Sequence, residues 1–133
     1  VQGSKFKVQS CRMGKDTTLV LGASENTERY SNRAIKSLLR HGQKVVAIGA
    51  KKGVVEGVEF SKDRPAFQDI DTVTLYLSQR NQVDYYDYIL SLNPRRIIYN
   101  PGAENPELEA LAESKGIENL EACTLVLLGT GQY

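Results

Sequence analysis

The chain contains no tryptophan, one histidine, one methionine and two cysteines. Cys11 and Cys123 are too few for a metal cluster or a disulfide framework, so a reduced, cytoplasmic setting is the expectation. No apolar run approaches the roughly 20 residues that cross a bilayer, which argues against a membrane-spanning helix. Charge of either sign is also not in excess. The 17 Lys+Arg and 16 Asp+Glu leave a net charge of +1, so nothing global directs the chain to nucleic acid or membrane. Any basic site must be local. Patterns that carry chemistry are missing as well. There is no nucleophile–histidine arrangement, no metal-ligand spacing and no P-loop.

What is present is the profile of one soluble globular domain: 133 residues, 41% hydrophobic and 25% charged. That length buries a proper core without staples. No linker, repeat or low-complexity segment interrupts it. The opening VQGSKFKVQSCR follows neither the strand nor the helix period, whereas Met13 begins MGKDTTLVLGAS in the manner of a native start. Residues 1–12 are therefore read as an expression remnant or disordered leader, and 13–133 as the domain.

Apolar runs alternate with amphipathic stretches along the chain. Thr18–Leu21 is a strand ending at Gly22. A helix over 32–41 follows, with Ser31 as N-cap, Ala34, Ile35, Leu38 and Leu39 on one face, and Gly42 as its stop. Lys44–Ile48 is a second strand. GVVEGVEF suits a small extended excursion, and Pro65 opens a turn or short helix. Thr72–Leu77, rich in β-branched residues, is a third strand. The spacing predicts a helix over Gln82–Leu92 with Val83, Tyr86, Ile89 and Leu90 on its buried face, halted by Pro94. Arg96–Tyr99 is a fourth strand. Asn105 caps a helix that begins at Pro106 and buries Leu108, Leu111 and Ala112; Gly116 closes it. Residues 117–121 form a fifth strand, and 122–128 suit helix or strand equally. One continuous strand–helix series implies parallel βαβ units. The fold class is thus α/β: a Rossmann-like open parallel sheet of about five strands with helices on both faces. Ligands of such sheets sit beyond the carboxyl ends of the strands, which selects the loops after Leu21, Ile48, Leu77 and Tyr99.

The first of those loops, GASENTERYS, departs from the dinucleotide fingerprint G-x-G-x-x-G. Gly22 is present, but Ser24 and Thr27 stand where the next glycines belong. A serine can still offer a hydroxyl and an amide to phosphate, and the helix N-terminus near Ser31 adds free amides and a positive dipole end. The second strand ends in GAKK rather than an acid. Lys51 and Lys52 cannot accept hydrogen bonds from ribose hydroxyls. They suit a phosphorylated ribose, either the 2′-phosphate of NADP or the 3′-phosphate of coenzyme A.

The segments VLGAS (20–24), RYS (29–31), KVVAIGAKK (44–52), VVEGVEF (54–60), DTVTLYL (71–77) and IIYNPGAENPELEALAESKGI (97–117), with a late Cys123, together resemble the small CoA-binding domain proteins. Their fold is similar to the nucleotide-binding domain of the succinyl-CoA synthetase alpha subunit. The resemblance covers nearly everything from about residue 17 onward. It implies that Gly22, Ala23, Ser24, Arg29, Tyr30 and Ser31 surround the CoA phosphates and that Lys51 faces the 3′-phosphate. Leu77 and Ser78 would pack near the adenine or the start of the pantetheine arm, and Asn100, Pro101, Gly102 and Ala103 would line that arm. Two departures fall in the pocket wall: Gly49-Ala50 where many members carry Asn-Pro, and LSQRN after the third strand where many carry a basic or phenylalanine-containing segment.

Other residues read as structural. Cys123 could form a mixed disulfide with the CoA thiol, but a small buried residue explains it as well. His41 sits at a helix C-terminus, away from the binding loops. The tyrosines of DYYDY suit packing, and the arginines of PRR fall at the amino edge of the sheet and read as surface. Asp84, Asp87, Glu107, Glu109 and Glu113 form no buried acid–base pair. The expected function is a stand-alone module that binds CoA or an acyl-CoA; the chain is not read as an enzyme, and no catalytic or metal-binding residue is assigned. The alternatives are an NADP-dependent oxidoreductase or a fragment of one, and a scaffold or dimerisation domain with a vestigial pocket. The expected partner is a small-molecule nucleotide, with a protein partner or a homodimer left open.

Overall fold

The computed structural model describes residues 15–133, so the expected remnant at 1–12, Cys11 and Met13 lie outside the described residues. The strands are β1 (Thr17–Ala23), β2 (Lys44–Gly49), β3 (Gly53–Val55), β4 (Val58–Phe60), β5 (Ile70–Leu75), β6 (Arg96–Tyr99) and β7 (Glu118–Glu121). The helices are α1 (Tyr30–Arg40), α2 (Gln79–Gln82), α3 (Tyr86–Leu92), α4 (Pro106–Glu113) and α5 (Thr124–Gly129), with a 3₁₀ turn at Val83–Tyr85 between α2 and α3. Five strands form one parallel sheet in the order β2-β1-β5-β6-β7. The chain moves from β1 outward to β2 and then returns across β1 to β5. The order therefore reverses between β1 and β5, and a crevice opens there at the carboxyl ends.

Parallel strands joined by crossovers are covered on both faces, and the side-chain alternation of β1 shows how. Leu19 and Leu21 point into a core with Val73, Leu75, Ile97, Tyr99, Ile89 and Leu108, under α3 and α4. Val20 points the other way, to Ile35, Leu38, Ala47 and Leu128, under α1 and α5. The second face is partly polar. The buried hydroxyls of Thr74 and Thr124 lie 2.7 Å apart and dock α5 on the sheet. Thus 122–128 is resolved in favour of helix from Thr124, since Thr124, Leu127 and Leu128 turn inward at helical spacing.

The excursion after β2 is a β-hairpin, β3–β4, whose turn residues Glu56 and Gly57 both have positive φ (49° and 86°). That is the turn sense that matches the twist of its strands. Four expectations need correction. Helix α1 starts at Tyr30, so Ser31 lies inside its first turn and is not the cap. Val83 is 51% exposed, because the 3₁₀ turn rotates it out of the stripe that begins again at Tyr86. Leu111 is 39% exposed, leaving Leu108 and Ala112 to anchor α4. Arg96 is buried, not surface: its guanidinium donates to Thr72 Oγ1 and to the Tyr133 carbonyl and stacks on the Tyr133 ring. Pro65 begins only a turn, closed by the Phe67 amide on the Pro65 carbonyl.

Candidate functional site

The floor of the crevice is made where β1 ends. Leu21 pairs with Ile48 and Ala23 with Gly49, so Gly22 is a bulged residue between them. Its φ is +106°, and a Cβ there would stand 2.9 Å from the Tyr76 carbonyl oxygen. Gly49 has ordinary dihedrals but even less room: a Cβ would lie 2.4 Å from the Ala23 carbonyl oxygen, with Phe60 behind it. Both glycines let the ends of β1 and β2 close on their neighbours.

Above that floor runs the loop Ser24–Arg29 into α1. It is rigid by its own bonds. The Asn26 amide donates to Ser24 Oγ, the Glu28 amide to Asn26 Oδ1, and the Arg29 amide to the Asn26 carbonyl. Buried Asn32 reaches back from α1 and donates its side-chain amide to the Ser24 carbonyl. Ser24 Oγ thus accepts internally and keeps its own proton to donate outward. The helix itself is left open. Its N-cap is Arg29, whose side chain supplies no capping acceptor, and the first turn contains no acidic residue. The amides of Tyr30 and Ser31 have no acceptor among the described residues. Uncapped amides at the positive end of a helix dipole suit an anion.

Two adjoining clefts meet over this loop. The larger, about 500 Å³, runs from Gly22, Ser24 and Arg29 to Ala50, Lys51 and Lys52, with Phe60 and Tyr76 in its wall. Both lysines are exposed, and neither joins an ion pair among the described residues. The carboxylate in this cleft is occupied: Glu25 Oε2 accepts the Val54 amide at 2.9 Å and straps the loop to the hairpin. The smaller cleft, about 250 Å³, continues from Gly22 and Arg29 past Tyr30 and Ser31 to Leu77, Ser78 and Pro101–Ala103. It contains Glu28 and no lysine. The groove therefore has a cationic end and a largely neutral end, joined at the open N-terminus of α1. An elongated ligand with phosphates at one end and an uncharged arm at the other matches this donor set.

The structure brings Gly22, Ala23, Ser24, Arg29, Tyr30, Ser31, Lys51, Leu77, Ser78, Pro101, Gly102 and Ala103 around this groove. Asn100 is not among them. It is 2% exposed, and its amide is spent on the Thr74 hydroxyl, the Leu75 carbonyl and the Thr124 amide. It fastens β5, β6 and α5 together beneath the groove instead of lining it. Sequence reasoning missed Glu25, Phe60 and Tyr76 as wall residues. The first was legible from its place in the loop, whereas the other two depend on where the hairpin and the end of β5 come to rest. The Tyr76 hydroxyl is buried without a hydrogen-bond partner among the described residues, and burial pushes it up to about 12.

The remaining candidates are structural or distant. His41 ends α1, its Nδ1 2.8 Å from the Ser37 carbonyl. Tyr86 donates to Glu107, Tyr88 donates to the Pro65 carbonyl, and Arg64 stacks 4.0 Å over Tyr85, so the tyrosine cluster ties α3 to its neighbours. Cys123 is half-buried at the start of α5. No group of three or more metal-ligating side chains occurs among the described residues, and none of their helices is long and apolar enough to cross a membrane.

Comparison with known proteins bears on the fold and the family. A solved structure of an uncharacterised protein is 45% identical, with a TM-score of 0.87, covering 90% of this chain and 98% of its own. A protein from Thermus thermophilus is 18% identical with a TM-score of 0.77, covering 98% of this chain and 100% of its own. A dinucleotide-forming acetyl-coenzyme A synthetase of Ca. Korarchaeum cryptofilum, solved with phosphate and ADP, shares 18% identity at a TM-score of 0.63. There the match covers 84% of this chain and 26% of the synthetase. The last two likenesses are of fold alone. No curated protein sequence matches. The family model of the CoA binding domain matches residues 16–129, and with nearly the whole described chain inside that match, the protein belongs to the CoA-binding domain family.

Proposed function

We propose that the protein binds coenzyme A or an acyl-CoA as a stand-alone module. The observation that carries this reading is the polarity of the groove. The uncapped first turn of α1 and Ser24 lie at its middle, Lys51 and Lys52 at one end, and a lysine-free cleft at the other. In this reading the Tyr30 and Ser31 amides and the Arg29 side chain hold the pyrophosphate. Lys51, with Lys52 beside it, meets the 3′-phosphate, and Leu77, Ser78 and Pro101–Ala103 flank the pantetheine arm. When bound, CoA would supply a thiol or thioester at the far end of that arm; the protein's own residues bind and orient it. Glu28 beside the arm disfavours a further phosphate there, which gives the ligand its direction.

A second reading has one observation behind it: Lys51 and Lys52 would serve the 2′-phosphate of NADP equally well. A thermal-shift series separates the two. CoA is expected to raise the melting temperature more than dephospho-CoA, and NADP and NAD to give smaller shifts. For scale, a ligand at 100 times its dissociation constant adds about 2.7 kcal/mol. Lys51→Ala should narrow the gap between CoA and dephospho-CoA. Stabilisation by NADP above CoA, with turnover of NADPH on carbonyl substrates, would decide for the second reading.

A further inference from the structure

The walls of the smaller cleft are the chain just past β5, at Leu77 and Ser78, and the chain just past β6, at Pro101–Ala103. Beyond the last paired residues, Leu75 and Tyr99, no ladder bond joins the two segments. Their carbonyls still need donors if they are buried. A single side chain provides them. Gln82, with no exposed surface, donates its Nε2 protons to the Leu77 carbonyl and to the Ala103 carbonyl, each at 2.8 Å. Its Oε1 accepts from Asn105 Nδ2 at 2.8 Å, so every hydrogen-bonding site that geometry demands of this amide is filled. Asn105 in turn donates to the Tyr86 hydroxyl and caps α4 through the Glu107 and Leu108 amides.

We propose that Gln82 is a positioning residue for the neutral arm of the ligand: it sets the separation of the two cleft walls by bridging Leu77 and Ala103. This rests on the CoA reading above and deepens it. The reason is geometric. The side-chain amide takes the place of a missing rung of the sheet, and its fixed spread of two N–H bonds defines how far apart the two carbonyls stand. An apolar side chain of the same size would leave the buried Ala103 carbonyl and the half-buried Leu77 carbonyl without their donor. The walls would then move to reach water, at the cleft and not at the phosphate loop. Gln82 makes no hydrogen bond to the α1 N-terminus or to the lysines, and of the two segments it bridges only Leu77 also reaches the cationic cleft, so its effect falls chiefly on the arm.

The test compares CoA with adenosine 3′,5′-bisphosphate, which carries the phosphorylated ribose but lacks the pantetheine arm. In Gln82→Met, CoA affinity should fall about tenfold toward that of the bisphosphate, a change of about 1.4 kcal/mol, while bisphosphate affinity stays within about twofold. Equal losses for both ligands, or none for CoA, would overturn the assignment. A second measurement needs no substitution. In the unaltered protein, the Gln82 side-chain amide resonances should shift on adding CoA and stay in place on adding the bisphosphate. If they ignore both ligands while CoA binds, Gln82 does not sense the arm and the assignment fails. If the unaltered protein binds neither ligand, it is the CoA reading itself that has failed, a result distinct from either outcome above.

Discussion

At the residue scale, close backbone approach decides more than side-chain chemistry. Gly49 ends β2 in contact with the β1 bulge, and the space for a Cβ is taken by the Ala23 carbonyl oxygen at 2.4 Å and the Phe60 ring at 3.0 Å. Phe60 is a buried core residue and cannot swing aside. Gly49→Ala must therefore push β1 and β2 apart where they support the Ser24–Arg29 loop. Overpacking of this kind costs about 1–3 kcal/mol, read as a lower urea midpoint with an unchanged slope. CoA-induced stabilisation should shrink in the same variant, because the loop moves with Ala23. Gly42→Ala is the control. It lies in open space with φ +78°, so it carries only backbone strain and should leave ligand response intact. The same scale explains Asn100 and Arg96. Each is polar: the resemblance implies that Asn100 lines the arm, and its place at the amino end of the fourth strand suggests that Arg96 is surface. Each turns out to be a buried crosslink, because its partners (Thr74 and Thr124, Thr72 and Tyr133) come from distant parts of the chain.

At the element scale, two helices are treated in opposite ways. α1 begins without a cap, at the groove. α4 begins with Asn105, whose Oδ1 accepts the Glu107 and Leu108 amides at 3.1 Å, followed by Pro106 and two acidic residues in the first turn. Replacing such a cap with alanine costs about 0.5–2 kcal/mol. Asn105→Ala should fall at the upper end, since it also strands Gln82 Oε1 without its donor. Asn105→Asp keeps the capping acceptor and loses the donor, so its urea midpoint should lie between those of alanine and the unaltered protein. A midpoint for the alanine variant equal to the unaltered one would show that α4 needs no cap. These elements differed in how plainly the sequence announced them. RIIY, buried on both faces, and N-P-E, a cap with proline and acid behind it, carry their structure locally. The break at Val83 does not, because a 3₁₀ turn shifts the helical phase without any proline or glycine to mark it. For the groove, the rule that loops follow strand ends located most of the lining. Its far walls at Phe60 and Tyr76 depend on how the hairpin and β5 are placed. Gln82 carries no signal at all, since a polar residue near a helix start is ordinarily solvated.

At the scale of the whole molecule, the near-balance of charge hides one unbalanced pair. Glu109 of α4 lies beside Glu121 of β7, and the neighbouring carboxyl, together with burial, pushes the Glu109 carboxyl up to about 7. Glu109 Oε2 is buried with no hydrogen-bond partner among the described residues, which further disfavours the ionised form. In the unfolded chain Glu109 leaves Glu121 and returns to its ordinary value near 4.5. Between those values the folded protein binds more protons than the unfolded one, so stability falls as pH rises through the window from about 4.5 to 7. Asp71 works in a different window: although burial opposes it, hydrogen bonds from Arg95 and Thr72 hold it below its ordinary value, so its contribution is lost only on acidification. The two effects can therefore be read apart. Glu109→Gln fixes the protonated form, and its melting temperature should change less than that of the unaltered protein between about pH 5 and pH 8, exceeding it at the upper end. Glu121→Gln should flatten the profile likewise, because a lone Glu109 ionises without repulsion, and the double substitution should flatten it no further. Melting curves of the three variants that run parallel to that of the unaltered protein across this range would mean that Glu121 does not hold the Glu109 carboxyl up and that α4 and β7 are not coupled through this pair.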